Sequence, residues 1–107
     1  LKVITTKNEF VAKPILVTTE PDKIGLVDVF SVCTKAYDLA ESIVKFKSCI
    51  GKETAILPLL NGVNHDAAIR QNLPDAEVWN GCVFIVARLI EAGLVKVDSE
   101  IKLLQFG

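Results

Sequence analysis

Methionine is absent from the 107 residues, histidine and tryptophan occur once each, and there is no excess of positive charge. The 12 Lys and Arg stand against 13 Asp and Glu, for a formal net charge of -1 at pH 7. Without a basic stripe to neutralise the phosphates of a duplex, the composition argues against nucleic acid as a partner. Long apolar runs are missing too. The longest, Cys82 to Ala87 and Ala55 to Leu60, fall far short of the roughly 20 residues that cross a bilayer, and the first residues lack the pattern of a signal peptide. Neither membrane nor export is expected. Cysteine is sparse and odd in number: Cys33, Cys49 and Cys82 are widely spaced, each inside an apolar segment. That usage predicts buried packing thiols in a reducing cytoplasm rather than a disulfide or zinc framework. The chain starts at Leu1, directly in a strand-like segment, which predicts a piece of something longer.

What is present describes a folded domain. Half of the residues are hydrophobic and 23% are charged, enough for a real core and too apolar for disorder. Three short β-like runs open the chain, Leu1 to Thr5, Glu9 to Lys13 and Ile15 to Thr19, with Lys7-Asn8 as a turn and Pro14 interrupting the ladder. Leu26 to Thr34 reads as a buried parallel strand. From Ala36 to Ile50, apolar residues at Ala36, Leu39, Ala40, Ile43, Phe46 and Ile50 recur at three and four. This spacing predicts an amphipathic helix, with Glu41 able to pair with Lys45 and Gly51 as its stop. Thr54 to Leu60 is a second buried strand. Asn64 caps a short helix through Leu73, closed by Pro74. Val78 to Ala87 is a further apolar strand, and turns at Ala92-Gly93 and Asp98-Ser99 set off an antiparallel β ribbon at the C-terminal end. Strand and helix alternate through the middle third, so the fold class is α/β, a partial Rossmann-type, doubly wound arrangement. With no repeat, linker or low-complexity run, residues 1–107 are read as one partial domain.

In an open α/β sheet, ligands bind beyond the carboxyl ends of the parallel strands. Two strand-to-helix corners meet that condition, Cys33-Thr34-Lys35-Ala36-Tyr37-Asp38 and Pro58-Leu59-Leu60-Asn61-Gly62-Val63. Lys35 reads equally as a solvated lysine at a helix start or as an anion clamp. Asn61 reads first as a turn residue, because Asn-Gly is a common turn dipeptide. Its amide also offers a donor and an acceptor for a ribose hydroxyl or a carbonyl. His65 has no neighbouring triad pattern and reads as a first-turn surface residue. Trp79 reads as core. No metal-ligand cluster occurs, and the scattered carboxylates give no support for paired acid/base work.

Taken in order, Thr34-Lys35-Ala36-Tyr37-Asp38, then Pro58-Leu59-Leu60-Asn61-Gly62-Val63, then Gly81 with Ala87-Arg88 and Gly93-Leu94-Val95, resemble ketopantoate reductase (2-dehydropantoate 2-reductase). The likeness runs from Leu26 onward. The segment with Pro14 and Val17-Thr18-Thr19 is similar to the variable β region that precedes the first of these motifs in the family. The resemblance implies a Rossmann-type domain that binds NADPH, joined in the complete enzyme to a helical catalytic domain. It implies reduction of 2-dehydropantoate to pantoate, toward pantothenate and coenzyme A. On the same ground Lys35 matches a lysine that contacts cofactor in the active-site cleft. Asn61 matches an asparagine that touches both cofactor and substrate, and Ala87 a position whose backbone lines the cofactor site. Thr34 is carried by adjacency to Lys35. No catalytic residue is assigned.

Several parts of the family pattern are not in these residues: the G-x-G-x-x-G turn that seats a pyrophosphate on a helix, the basic residue that selects a 2′-phosphate, and the helical domain with its proton-donating lysine. The stretch alone is therefore expected to be inactive. A half-built sheet would leave an apolar edge free to pair with the missing segment or with a second copy as a homo-oligomer. Two other readings stay open: a related NAD(P)-dependent dehydrogenase of another 2-keto or 3-hydroxy acid, and a non-catalytic α/β binding module.

Overall fold

The computed structural model describes residues 1–107 and contains nine strands and two α-helices. They pack as two compact units, residues 18–82 with 105–107, and residues 1–17 with 83–104.

The unit containing residues 18–82 is built on three parallel strands in the order β3 (Val29–Val32), β4 (Ala55–Pro58) and β5 (Glu77–Val78). Helix α1 (Leu39–Lys45) follows β3, and α2 (His65–Asn72) follows β4. Both helices contribute to one core with the sheet, in which Val32, Leu39, Ile43, Ile56 and Ile69 are buried together. Ile43, Ile56 and Ile69 are fully inaccessible, a burial worth roughly 2 kcal/mol apiece. The partial Rossmann-type α/β arrangement expected from the alternating pattern is thus present, with α1 and α2 sharing the same face. Strand β4 is buried throughout because it is central. Pro58 is tolerated there because it ends the strand, and the ladder continues past it from the Leu59 N–H to the Val32 carbonyl at 2.8 Å.

The predicted helix over 36–50 is shorter and tighter than its periodicity suggests. One 3₁₀ turn over Ala36–Asp38 precedes α1 and another over Lys47–Cys49 follows it. Only Leu39 and Ile43 of α1 are buried, and Ala36 and Ala40 are exposed. Glu41 does not pair with Lys45. The Lys45 ammonium lies 5.7 Å from the Phe46 ring centre instead, and Phe46 packs on Phe30 at 6.0 Å. Asn64 precedes α2 without a side-chain capping bond. Its backbone is left-handed (φ 63°), unlike the extended N-cap that aims a side chain at the helix N–H groups.

The other unit holds a four-stranded sheet in the order β2 (Glu9–Val11), β1 (Lys2–Ile4), β8 (Leu94–Val97) and β7 (Ala87–Glu91). β1 runs antiparallel to β2 and parallel to β8, and β7 and β8 form an antiparallel hairpin with an irregularity between Leu89 and Glu91. The predicted turn before β2 forms around Thr5, whose hydroxyl accepts the Lys7 and Asn8 N–H groups. The hairpin turn uses Gly93 at φ +82°, where a Cβ is disfavoured.

Four further expectations are corrected. Ile15 to Thr19 is not a strand, although it is rich in β-branched residues; Pro14 lacks a donor, and Ile15 and Val17 are exposed with no partner strand. The apolar run from Val78 is broken, because the Trp79 N–H still bonds the Ile56 carbonyl while Asn80 exchanges both backbone bonds with Gly107. β6 (Gly81–Phe84) then pairs with β9 (Leu103–Phe106), so the antiparallel ribbon is β7 with β8 rather than β8 with the last strand. Of the three free thiols only Cys49 is buried, its Sγ donating to the Pro21 carbonyl at 3.4 Å. Cys33 falls one residue past β3, Cys82 lies in the two-stranded sheet, and both are exposed.

Candidate functional site

The register that pairs Val32 with Pro58 brings the segments after β3 and β4 out at the same end of the sheet. Between them lies an open cleft of about 650 Å³, lined by Cys33–Asp38 on one side and Leu59–Asn61 on the other. Thr34, Lys35 and Asn61, three of the four residues singled out from the sequence, therefore share one concavity. Ala87, the fourth, is an exposed residue at the start of β7 in the other unit, opposite Val97.

Lys35, three residues past β3, has extended backbone (φ -73°, ψ 152°) and caps the first 3₁₀ turn, its carbonyl accepting the Asp38 N–H at 3.0 Å. Its side chain is exposed and makes no ion pair or hydrogen bond within the chain. An ammonium so placed is open to solvent and free to meet an anion. Asn61 is likewise exposed, and its amide has no partner in the chain. It precedes Gly62, whose φ of +117° is accessible in practice only to glycine. The lining is mixed in character: Leu59 and Leu60 are half-buried and apolar, while Lys35 and Asp38 supply one charge of each sign.

Two features carry more than the sequence reading assigned to them. Tyr37 stands 82% exposed in the cleft wall, and the sequence marked it only as part of a motif. His65, expected on the surface, is half-buried with Nε2 enclosed and unpartnered. The available signal was its spacing, three residues after the glycine of the Asn-Gly pair. Trp79 is half-buried and stacks on Phe106 at 5.5 Å, its indole N–H donating to Glu77 at 3.1 Å. No group of three or more His, Cys, Asp or Glu side chains converges as a metal site, and no helix is long and apolar enough to cross a membrane.

A parallel sheet with helices on one face, and a cleft beyond the carboxyl ends of adjacent strands, defines a Rossmann-type α/β protein. Within that class, the chain belongs to the ketopantoate reductase PanE/ApbA family, whose model matches residues 1–107. It is 37% identical over 81 residues to a 2-dehydropantoate 2-reductase of Streptococcus pyogenes, an alignment covering 76% of this chain and 26% of that protein. The crystal structure of 2-dehydropantoate 2-reductase from Porphyromonas gingivalis W83 matches with a TM-score of 0.90 and 40% identity, covering 99% of this chain and 37% of that one. A ternary structure of D-mandelate dehydrogenase with NADH and anilino(oxo)acetate matches with a TM-score of 0.77 and 30% identity, covering 91% and 31%. The chain thus spans about a quarter of the Streptococcus relative and somewhat over a third of the Porphyromonas structure.

Proposed function

We propose that residues 1–107 are part of the NADP-binding domain of a larger cytoplasmic reductase that converts 2-dehydropantoate to pantoate. The observation that carries this reading is the cleft itself: in a chain of this family, an unpaired lysine and an unpartnered asparagine amide line one concavity at the carboxyl ends of two parallel strands. The residues present suit one end of a dinucleotide. The volume lies within the roughly 300–1,000 Å³ of small-molecule sites, the lysine can balance a phosphate or carboxylate, and the amide can both donate and accept. When bound, NADPH supplies a hydride to the keto carbon. Lys35 holds the anionic group in place, Asn61 orients the cofactor and the keto acid, and Thr34 adds a hydroxyl beside Lys35. The G-x-G-x-x-G turn is not among these residues, so the 107-residue stretch by itself is not expected to turn over.

One observation favours a second reading, the likeness to a D-mandelate dehydrogenase solved with NADH: the acid or the cofactor differs from 2-dehydropantoate and NADPH. The deciding assay gives the complete reductase NADPH or NADH with 2-dehydropantoate and a panel of aliphatic and aromatic 2-keto acids. A kcat/KM for NADPH and 2-dehydropantoate at least about tenfold above every other pairing, roughly 1.4 kcal/mol of transition-state preference, supports the first reading. An aromatic acid or NADH in front supports the second. A protein that binds neither dinucleotide would falsify both and leave a non-catalytic binding module.

A further inference from the structure

We propose that His65 is a positioning residue that holds the Asn61-Gly62 turn, and through it the Asn61 amide, in the cleft. The proposal deepens the reading of Asn61 as a cofactor and substrate contact and rests on it. The loop from Asn61 to Asn64 has few constraints of its own. Gly62 and Asn64 both have positive φ, +117° and +63°, and Asn64 forms no side-chain cap. No backbone N–H of Asn61, Gly62, Val63 or Asn64 donates to another backbone carbonyl, and Val63 is 82% exposed. What does meet the loop is the imidazole of His65, the first residue of α2. A Cβ built on Gly62 would stand 3.1 Å from His65 Cε1 and 3.4 Å from Nε2, so the ring occupies the side of the turn that a larger residue would need.

His65 Nε2 is enclosed and without a hydrogen-bond partner, and a buried polar atom left unpaired calls for a reason. With no bond from that nitrogen, what the ring offers the turn is its bulk. The ring is seated by α2, whose Ile69 is fully buried one turn further on, so the turn rests on a side chain anchored to the core. The bulk of the ring, rather than a bond from its nitrogen, then keeps Asn61 in the orientation that the reaction uses. Misplacement of a reacting partner by an ångström can cost about a hundredfold in rate.

The test uses the complete reductase with His65→Ala, His65→Asn and His65→Phe, alone and combined with Asn61→Ala. His65→Ala should lower kcat/KM by about tenfold or more, and His65→Asn, too short to fill the same space, should do so equally should the alanine variant not fold. His65→Phe should restore the value to within about threefold of wild type. In the Asn61→Ala background, His65→Ala should add less than about twofold, because the group it positions is gone. Losses that multiply in the double variant, or a phenylalanine variant as impaired as the alanine one, overturn the proposal. A second readout needs no cofactor: ¹⁵N relaxation of the Asn61, Gly62 and Val63 amides. Order parameters should fall from about 0.85 to below about 0.6 in His65→Ala and recover in His65→Phe. Unchanged order parameters alongside an impaired Asn61→Ala overturn the His65 role alone. Wild-type kinetics in Asn61→Ala overturn the reading of Asn61 and this proposal with it.

Discussion

Replacing Thr54 with valine should destabilise the protein more than replacing it with serine, although valine keeps the shape and serine does not. Thr54 is the one buried polar residue, 2% exposed, at the entrance to β4. Its hydroxyl accepts the Gly51 N–H at 2.9 Å and donates to the Val27 carbonyl. It thereby ties the end of the α1 segment to the approach to β3. Neither of those backbone groups has another partner. Thr54→Val leaves one donor and one acceptor unpaired, each costing about 1–3 kcal/mol according to its burial. Gly51 is half-buried, so a total near 2 kcal/mol follows, about a thirtyfold change in the unfolding equilibrium. Thr54→Ser keeps both bonds and loses one methyl, for about 1 kcal/mol. Urea unfolding followed by circular dichroism would measure both. The affinity for NADPH in folded protein should not change, because the ladder from Val29–Ala55 to Val32–Pro58 fixes the far end of the sheet independently. A valine variant as stable as the serine one would refute the hydrogen-bond accounting.

Lys35→Ala should weaken NADPH binding by about tenfold, the loss of one exposed charge-assisted contact, with a smaller loss in Lys35→Arg; an unchanged dissociation constant in fluorescence titration removes Lys35 from the site. Gly81→Ala should cost about 1–3 kcal/mol by overpacking, because its Cβ would lie 2.7 Å from Leu57 Cδ1 and 3.0 Å from Leu59 Cδ2; thermal unfolding indistinguishable from wild type would mean that both leucines move aside freely. Asp98→Asn should cost less than about 1 kcal/mol despite two ion pairs, Arg88 at 2.9 Å and Lys96 at 3.4 Å, since all three side chains are solvated; a larger loss in urea unfolding would show that the cluster acts as a network.

Periodicity exposed the strand and helix order from β3 to β5 because a parallel sheet covered by helices writes its burial directly into apolar runs and a three-four spacing. The placement of Asn61 and Lys35 beside one cleft was legible for a related reason: topology puts both residues just past the ends of adjacent parallel strands. The outer strands were harder to read. Ile15 to Thr19 has the composition of a strand, yet pairing depends on a neighbour that local sequence does not reveal. The Trp79-Asn80 break was hidden because the change of partner, from the Ile56 carbonyl to Gly107, joins residues 27 apart. His65 was read as a first-turn surface residue because no triad pattern surrounds it; it does open α2 but is half-buried, its ring taking the space that a Cβ on Gly62 would need.

The return of residues 105–107 to Trp79 and Asn80 orders events in time. As the chain leaves the ribosome, β3, β4 and β5 emerge with both helices, but the face of Trp79 waits until Phe106 has been made. Everything between Cys82 and Gln105 is an excursion that must finish before that last stack closes. The stack that completes this unit thus joins residues 27 apart in sequence. Trp79 is the one tryptophan among these 107 residues, so within this stretch its emission would report the moment the excursion ends.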